Sequence, residues 1–186
     1  TTDVIFDAAS LTKVLATAPS VLLLIQDGKL TLETPVCSII PEFTGGGKEK
    51  ITVRHLLTHV SGTRSGIPRE RPYRNYAEGV AAAAAELLQS EPGTAFRYSD
   101  INYILLGDIV RRVSGSRLDV FAAARLYGPL GMGDTGFNPS SRKRGRIAPT
   151  TREAEGLVHG VVHDPTSRRM GGVAGHAGLF TTAGDT

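Results

Sequence analysis

The feature that most constrains the fold is a serine and a lysine at the start of a long apolar run. Ser10-Leu11-Thr12-Lys13 directly precedes residues 14–25, which are mostly apolar, and Asp27-Gly28 follows them. This pattern predicts a helix over residues 10–26 that ends at a glycine. Pro19 lies inside it and should bend the helix or remove one hydrogen bond. Residues three apart share a helix face, so the Lys13 amine should reach the Ser10 hydroxyl.

Such a pair can carry nucleophilic chemistry. A serine is a poor nucleophile at neutral pH unless a neighbouring base takes its proton. A lysine can be that base when burial or nearby positive charge favours its neutral amine. Taken alone, the pair is equally typical of a helix-capping serine beside a surface lysine. A second Ser-x-x-Lys, at Ser140 and Lys143, lacks an apolar helical pattern and predicts a solvated loop.

Length and composition predict one globular domain. The chain has 186 residues, of which 40% are hydrophobic, and a formal net charge of +3. That is enough apolar material for a buried core. The run at 14–25 is interrupted by polar residues and proline, so we expect no membrane span. Basic residues cluster at 142–146 and 168–169, but without interleaved aromatics or a binding motif we expect no nucleic-acid partner.

The spacing of apolar residues and the positions of glycine, proline and capping residues predict further helices, strands and loops. Helices are expected at residues 52–59, at 76–89 with their five consecutive alanines, at 100–113 before Ser114-Gly115, and from Ser116 to about 127. A short strand is expected at residues 4–6. Residues 61–76, rich in Arg, Pro and Gly, should form an exposed loop, and residues 128–175 should be mostly loop.

Tyr98 is a second candidate for chemistry. It follows the turn Glu91-Pro92-Gly93-Thr94 and precedes the predicted helix at 100–113. A phenol placed there could face a cleft and exchange protons with a substrate or with Ser10. The alternative is a partly buried aromatic ring with a satisfied hydroxyl.

The histidines are weak candidates for a metal site. His55 and His59 are four residues apart, as are His159 and His163. Both pairs lack the glutamate of a His-Glu-x-x-His zinc motif. We therefore expect hydrogen-bonded structural histidines, no metal and no other cofactor.

Four segments together resemble the serine β-lactamase-like and penicillin-binding enzymes. They are Phe6-Asp7-Ala8-Ala9-Ser10-Leu11-Thr12-Lys13, Leu56-Leu57-Thr58-His59-Val60-Ser61-Gly62, Glu91-Pro92-Gly93-Thr94-Ala95-Phe96-Arg97-Tyr98-Ser99 and Pro129-Leu130-Gly131-Met132. They occur in the family's order across about residues 5–180. The resemblance is greatest to class C β-lactamases, D,D-peptidases and family VIII carboxylesterases.

This resemblance implies roles for four residues. Ser10 would be the nucleophile, Lys13 the base, and Tyr98 the residue that moves protons to the leaving group and from the deacylating water. Asp100 would orient Lys13 or contact substrate. The family more often has Asn at that position, and an ionised Asp cannot donate a hydrogen bond, which favours ester over β-lactam substrates. A literal Tyr-x-Asn at residues 73–75 lacks matching flanks and is set aside.

The resemblance also implies an incomplete domain. The family fold pairs a helical domain with an antiparallel sheet, most of which comes from the two ends of the complete domain. We therefore expect residues 1–186 to form a single, incomplete domain that is mainly α, being the helical part of an α+β fold, with few short strands. The surface that normally packs against the sheet would be apolar and could support self-association.

The family's third motif, Lys or His followed by any residue and Gly, is predicted to be absent. Lys143-Arg144-Gly145 lies in the basic loop, and His176-Ala177-Gly178 is similar to a segment that precedes the motif. That motif's strand supplies one oxyanion donor, whose loss typically costs about 10²–10³ in rate. This chain alone is therefore expected to be weakly active or inactive.

The sequence thus predicts a serine hydrolase that forms a covalent acyl-enzyme on a small-molecule ester or amide. A carboxylesterase is favoured, and a β-lactamase or D,D-peptidase is the alternative. A non-catalytic binding or interaction module that keeps the fold is the alternative of a different class. No compartment follows from the sequence.

Overall fold

In the computed structural model, which describes residues 2–154 and 156–186, helices dominate and the strands are short. The helices are α1 (Ala18–Gln26), α2 (Val53–Leu57), α3 (Tyr76–Ala85), α4 (Asp100–Ser114), α5 (Leu118–Ala122), α6 (Gly128–Leu130) and α7 (Pro165–Arg169). The strands are β1 (Ile5–Asp7), β2 (Gly136–Phe137), β3 (Thr151–Glu153), β4 (Gly156–Val158) and β5 (Leu179–Thr182). The prediction of a mainly helical chain with few short strands is confirmed.

The strand β5 joins the two ends of the described chain. It pairs antiparallel with β1, where Ile5 lies opposite Thr182, and with β2, where Phe137 lies opposite Leu179. The strands β3 and β4 form a separate antiparallel pair. Because β1 leads into Ser10 and β5 follows residues 175–178, this pairing places those residues beside the start of the first helical segment.

The helix α4 is the centre of the core. Residues 101–110 of this helix are all buried, and α4 packs against α1, α2, α3 and α5. Its Gly107 lies so close to Gly175 that a Cβ there would stand 3.0 Å from the Gly175 backbone. The helix ends at Gly115, whose φ of +73° suits glycine, so the predicted helix at 100–113 with its stop is confirmed.

The first helical segment changes its winding along its length. A 3₁₀ turn at Ala9–Leu11 is followed by a π-helical turn at Lys13–Thr17 and then by α1. Pro19 has no N–H to donate to the carbonyl of Leu15, and the Tyr127 hydroxyl donates to that oxygen instead, at 3.3 Å. Pro19 therefore disturbs the helix as predicted, and the disturbance takes the form of a π-helical turn just before the proline.

This segment also corrects the expectation about membrane spans. The continuous stretch Ala9–Gln26 has 18 residues and is, by length and composition alone, long and apolar enough to cross a membrane. Less than half of this stretch is buried, and within it Thr12, Lys13 and Thr17 are buried and hydrogen-bonded to residues 175–179. The core helix of a soluble protein and a signal sequence near an N-terminus meet the same criterion.

Several expected boundaries are wrong. The helix α3 ends at Ala85 rather than Gln89, because Glu86 turns inward and its buried carboxylate pairs with Arg64 and Arg71. The N-cap of α5 is Arg117 rather than Ser116.

The stretches predicted as loops also contain more structure than expected. Ser61 and Thr63 are buried in a stretch predicted to be exposed, because both bond to the Asn102 side chain on α4. The helix α7 was not predicted, although the Asp164 side chain caps it by accepting from the Ser167 N–H.

Candidate active site

Ser10 lies at the tip of a strained turn between β1 and the first helical segment. The preceding Ala9 has a φ of +46°, a region that residues with a side chain rarely adopt. The fully buried Asp7 carboxylate supports the turn by accepting from the Ala9 N–H at 2.9 Å. The same carboxylate accepts from the His163 N–H at 2.8 Å. Strain maintained in this way is common at functional sites, and here it presents Ser10 to solvent.

Lys13 lies buried behind Ser10, with only 3% of its side chain exposed. Its Nζ donates to Ser10 Oγ at 3.0 Å and to the carbonyl oxygen of His176 at 3.1 Å. Asp100 Oδ1, at the start of α4, lies 2.8 Å from the same Nζ. The predicted reach from Lys13 to Ser10 is therefore present, and a carboxylate and a carbonyl hold the amine in place.

The Tyr98 ring packs against Lys13 and His59. Lys13 Nζ lies 4.7 Å from the centre of the Tyr98 ring, within cation–π range. The ring stacks on His59 with 4.6 Å between centroids. Tyr98 is 45% exposed, and its hydroxyl makes no hydrogen bond within the described part of the chain.

His59 is the support for Tyr98. Its Nδ1 accepts from the Ser99 N–H at 3.1 Å. Burial lowers the pKa of His59, and the positive charge of Lys13 lowers it further. The neutral ring with its proton on Nε2 is therefore the favoured form. Sequence reasoning treated His59 only as a weak metal candidate, and its place in the segment at 56–62 was the available signal.

An open cleft of about 560 Å³ connects these residues. Its walls are mostly apolar, and its polar side chains are those of Ser10, Lys13, His59, Tyr98 and Tyr103, of which the Tyr103 hydroxyl already donates to the Leu57 oxygen. A cleft of this size with a few convergent polar groups is typical of a small-molecule site. Asp100 contacts Lys13 rather than lining this cleft.

Residues 175–179, which lead into β5 and include its first residue, form the wall behind Lys13. Three side chains of the first helical segment bind the backbone of this wall: Thr17 donates to the Gly175 oxygen at 2.7 Å, Lys13 donates to the His176 oxygen, and Thr12 accepts from the Leu179 N–H at 3.0 Å. These contacts explain why Lys13 is immobilised deep in the fold.

A buried imidazole and a carboxylate hold that wall. His176 is 1% exposed, and its Nε2 lies 2.9 Å from Asp164 Oδ1. Burial of Asp164 opposes its ionisation, but the hydrogen bond and charge of His176 and the Ser167 N–H outweigh it and lower the pKa of Asp164 to about 2. The Ser167 hydroxyl donates to the Ala177 oxygen at 2.8 Å. The sequence did not predict the Asp164–His176 pair, because this pair contacts Lys13 only through the backbone carbonyl of His176. Every residue type has such a carbonyl, so the sequence gives no sign of the contact.

The remaining histidines have structural contacts. His55 Nδ1 accepts from the Thr52 N–H at 3.1 Å, His159 Nε2 lies 2.8 Å from the Ile147 oxygen, and His163 Nδ1 lies 2.9 Å from Asp7. Across residues 2–154 and 156–186, no group of three or more His, Cys, Asp or Glu side chains is placed to hold a metal ion.

The second Ser-x-x-Lys and its basic run have other contacts. Lys143 pairs with Asp134 at 3.1 Å, and Arg146 pairs with the same carboxylate. Ser140 is exposed beside a 3₁₀ turn at Ser141–Arg146. This copy of the pattern is not part of the cleft.

Solved structures of known proteins share this fold. The chain matches FmtA from Staphylococcus aureus with a TM-score of 0.82 at 21% identity, covering 100% of this chain and 51% of that one. It matches a class C beta lactamase from Rhodobacter sphaeroides with a TM-score of 0.80 at 24% identity, covering 100% and 50%. A penicillin-binding protein homologue from Pyrococcus abyssi, described as octameric, gives a TM-score of 0.78 at 26% identity, covering 100% and 44%. The fold is that of β-lactamase and transpeptidase-like proteins.

The chain belongs to the Beta-lactamase family, whose sequence model matches residues 1–186. It is 34% identical across its whole length to a protein of Escherichia coli K12 named "Putative D-alanyl-D-alanine carboxypeptidase". A protein of the same name from Salmonella agona is 30% identical. The chain spans about half the length of these curated relatives, 49% and 50% respectively.

Proposed function

We propose that this chain carries the nucleophile, base and proton-shuttling residues of a serine hydrolase that works through a covalent acyl-enzyme. The observation that carries the proposal is the 3.0 Å contact between Lys13 Nζ and the exposed Ser10 Oγ at a strained turn. Family membership supports it independently of the geometry.

Lys13 is the proposed base. In its neutral form, Nζ takes the proton of Ser10 Oγ as that oxygen attacks the carbonyl carbon of an ester or amide. Asp100 and the His176 oxygen hold Nζ in line with Ser10, so little motion is needed during proton transfer.

Tyr98 is the proposed proton shuttle of the second half of the reaction. Its hydroxyl is free for substrate, and its ring lies against Lys13 and His59. We propose that it protonates the leaving group, becoming a phenolate, and later regains a proton from the water that attacks the acyl-enzyme; as the acyl group leaves, Lys13 returns its proton to Ser10 Oγ, so that all three residues end in their starting forms.

The oxyanion donors are proposed to come from two places. One is the Ser10 N–H, in the first turn of a helical segment, where backbone N–H groups lack intrahelical acceptors. The other would be a backbone N–H on a strand of the third motif. Because this chain spans half the length of its relatives, we propose that residues 1–186 form one incomplete domain with weak activity or none by itself.

Esters are the proposed substrates, and a D,D-peptidase or β-lactamase is the second candidate. The resemblance supports esters, since the family more often has Asn where this chain has Asp100, and an ionised Asp cannot donate a hydrogen bond to a peptide or β-lactam. The names of the relatives favour the peptidase. Hydrolysis of a short-chain 4-nitrophenyl ester, of nitrocefin and of a D-alanyl-D-alanine peptide by the full-length protein separates these candidates.

The test of the catalytic role uses the two Ser-x-x-Lys copies as a matched pair. We expect Ser10→Ala to abolish turnover and Ser140→Ala to leave it unchanged. Full turnover by Ser10→Ala would remove Ser10 from its role. A full-length protein that hydrolyses none of the three substrates and takes up no serine-directed probe would favour the non-catalytic binding module.

We also propose that this chain self-associates through apolar side chains near the cleft. Leu11 and Val14 are each 57% exposed and Leu130 is 71% exposed. Val14 and Leu130 line one shallow cavity with Leu126 and Met132. Sedimentation velocity should show a dimer or larger species that Leu130→Gln weakens, and a monomer at all concentrations would contradict this.

A further inference from the structure

A second depression adjoins residues 97–100, which we call the Tyr98 segment, and is lined by arginines. It has a volume of about 460 Å³ and lies between residues 64–69 on one side and Gln89 and Arg97 on the other. Arg64, Arg69 and Arg97 line it, and no acidic residue does. We call it the arginine groove.

Hydrogen bonds attach the arginine groove to the Tyr98 segment. The Ser99 hydroxyl donates to the Arg64 oxygen at 2.6 Å, and the Asp100 N–H donates to the Ser65 oxygen at 2.7 Å. Arg97 immediately precedes Tyr98, and its N–H donates to the His59 oxygen at 2.8 Å. The residues that line the groove are thus bonded directly to the Tyr98 segment.

The charges around the groove do not cancel. Glu86, which is 5% exposed, pairs with both Arg64 at 3.3 Å and Arg71 at 3.0 Å, so one carboxylate serves two guanidinium groups. Arg69 and Arg97 have no carboxylate partner in the described residues. Guanidinium groups stay charged at any working pH and favour carboxylates as partners.

The cleft beside Ser10 is apolar where the arginine groove is charged. Its walls are mostly apolar, and the Lys13 amine in it already contacts Asp100. A substrate with an apolar part and a separate negative charge therefore finds one complementary surface beside Tyr98 and another beside Arg97.

We propose that the arginine groove is a subsite for a carboxylate on the substrate, remote from the bond that is cleaved. This inference rests on the proposed function and specifies its substrate class as anionic esters or amides. The groove binds the charge equally before and during reaction, so its contribution is to KM rather than to kcat.

The experiment compares matched substrates with full-length protein. In one pair the charge is in the acyl part: the 4-nitrophenyl ester of octanedioic acid, against the same compound with its free carboxylate methylated. In the other pair it is in the leaving group: the octanoyl ester of 4-hydroxyphenylacetate, against that of its methyl ester. The variants are Arg69→Gln, Arg97→Gln and the double variant. Arg74→Gln is the control, since Arg74 is exposed in the same stretch but lies outside the groove.

We expect a lower KM for the anionic member of at least one pair. Each groove variant should reduce that preference about five-fold and the double variant about 20-fold, as expected for partly exposed charge pairs. Salt at 0.5 M should reduce it in the wild type, and Arg74→Gln should not. Equal KM values within both pairs, or a preference that survives in the double variant, would overturn the proposal.

A binding measurement separates this inference from the catalytic one. Monomethyl octanedioate should bind Ser10→Ala more tightly than dimethyl octanedioate in ligand-observed NMR, and the double arginine variant should remove the difference. A preference for the anion without turnover by the wild type would contradict the hydrolase and keep the groove. Turnover that depends on Ser10 without any anion preference would keep the hydrolase and overturn the groove.

Discussion

The lysine side of the cleft and its tyrosine side differ in how much of the fold supports them. Lys13 is buried, and its Nζ is held by Ser10, Asp100 and the His176 oxygen. Tyr98 is 45% exposed, with a stacked ring and a free hydroxyl. In the proposed mechanism, the base is thus built into the core, whereas the proton shuttle, which has to meet substrate and water, is left accessible. The following variants test this difference.

Removing the amine of Lys13 should have the largest effect. We expect Lys13→Met to lower kcat/KM at least 10³-fold in the full-length protein, because Lys13 is the proposed base for Ser10. The His176 oxygen also loses its donor, so the free energy of unfolding should decrease by about 1 kcal/mol. Steady-state kinetics and urea denaturation measure the two effects. Lys143→Met is the matched control, and a similar loss of activity there would contradict the assignment.

Removing the hydroxyl of Tyr98 should affect activity alone. We expect Tyr98→Phe to lower kcat about 10²-fold or more, with a change in unfolding free energy within about 0.5 kcal/mol, because the ring stays on His59. Tyr103→Phe provides the contrast, since the Tyr103 hydroxyl donates to the Leu57 oxygen at 3.2 Å. That variant should lose about 1 kcal/mol of stability and little activity. Substantial destabilisation by Tyr98→Phe would mean that its hydroxyl has a structural partner.

Breaking the support of the Lys13 wall should give a pH-dependent effect on stability. The pKa of Asp164 is lowered to about 2 from 3.8, so its ionised form stabilises the fold above about pH 4 and this contribution is lost as the pH falls towards 2. We expect Asp164→Asn to lose about 2 kcal/mol at pH 7 and to match the wild type near pH 2. Denaturation curves between pH 2 and 7 measure this. A difference that stays constant with pH would rule out the Asp164–His176 interaction as its source.

Neutralising Asp100 should have the smallest effect. Asp100 Oδ1 lies 2.8 Å from Lys13 Nζ and helps to hold the amine beside Ser10. We expect Asp100→Asn to lower kcat about five-fold with KM unchanged, because the amide positions the amine less firmly than the carboxylate does. If Asp100 instead contacts substrate, KM will change and kcat will not.

The sequence predicted well what depends on local pattern. The Ser10–Lys13 contact follows from helical spacing, and α4 follows from its apolar periodicity and the stop at Gly115. Short strands and the mainly helical character came from the family resemblance and were confirmed.

The structural features that the sequence did not predict depend on contacts between residues far apart in the chain. The His176 oxygen reaches Lys13 across 163 positions, and any residue type has such an oxygen. The helix α3 ended early because the Glu86 carboxylate is drawn inward by Arg64 and Arg71. Ser61 is buried because Asn102 accepts its hydroxyl. Local helix and strand propensities carry no information about partners so far apart in the sequence.

The most direct test of the central claim is to locate the covalent adduct. The full-length protein is treated with a fluorophosphonate probe, and the modified peptide is identified by mass spectrometry. The account predicts a single adduct on Ser10, slowed at least 10²-fold by Lys13→Met and absent from Ser10→Ala. An adduct on Ser140 or another residue, or labelling that continues in Ser10→Ala, would contradict it.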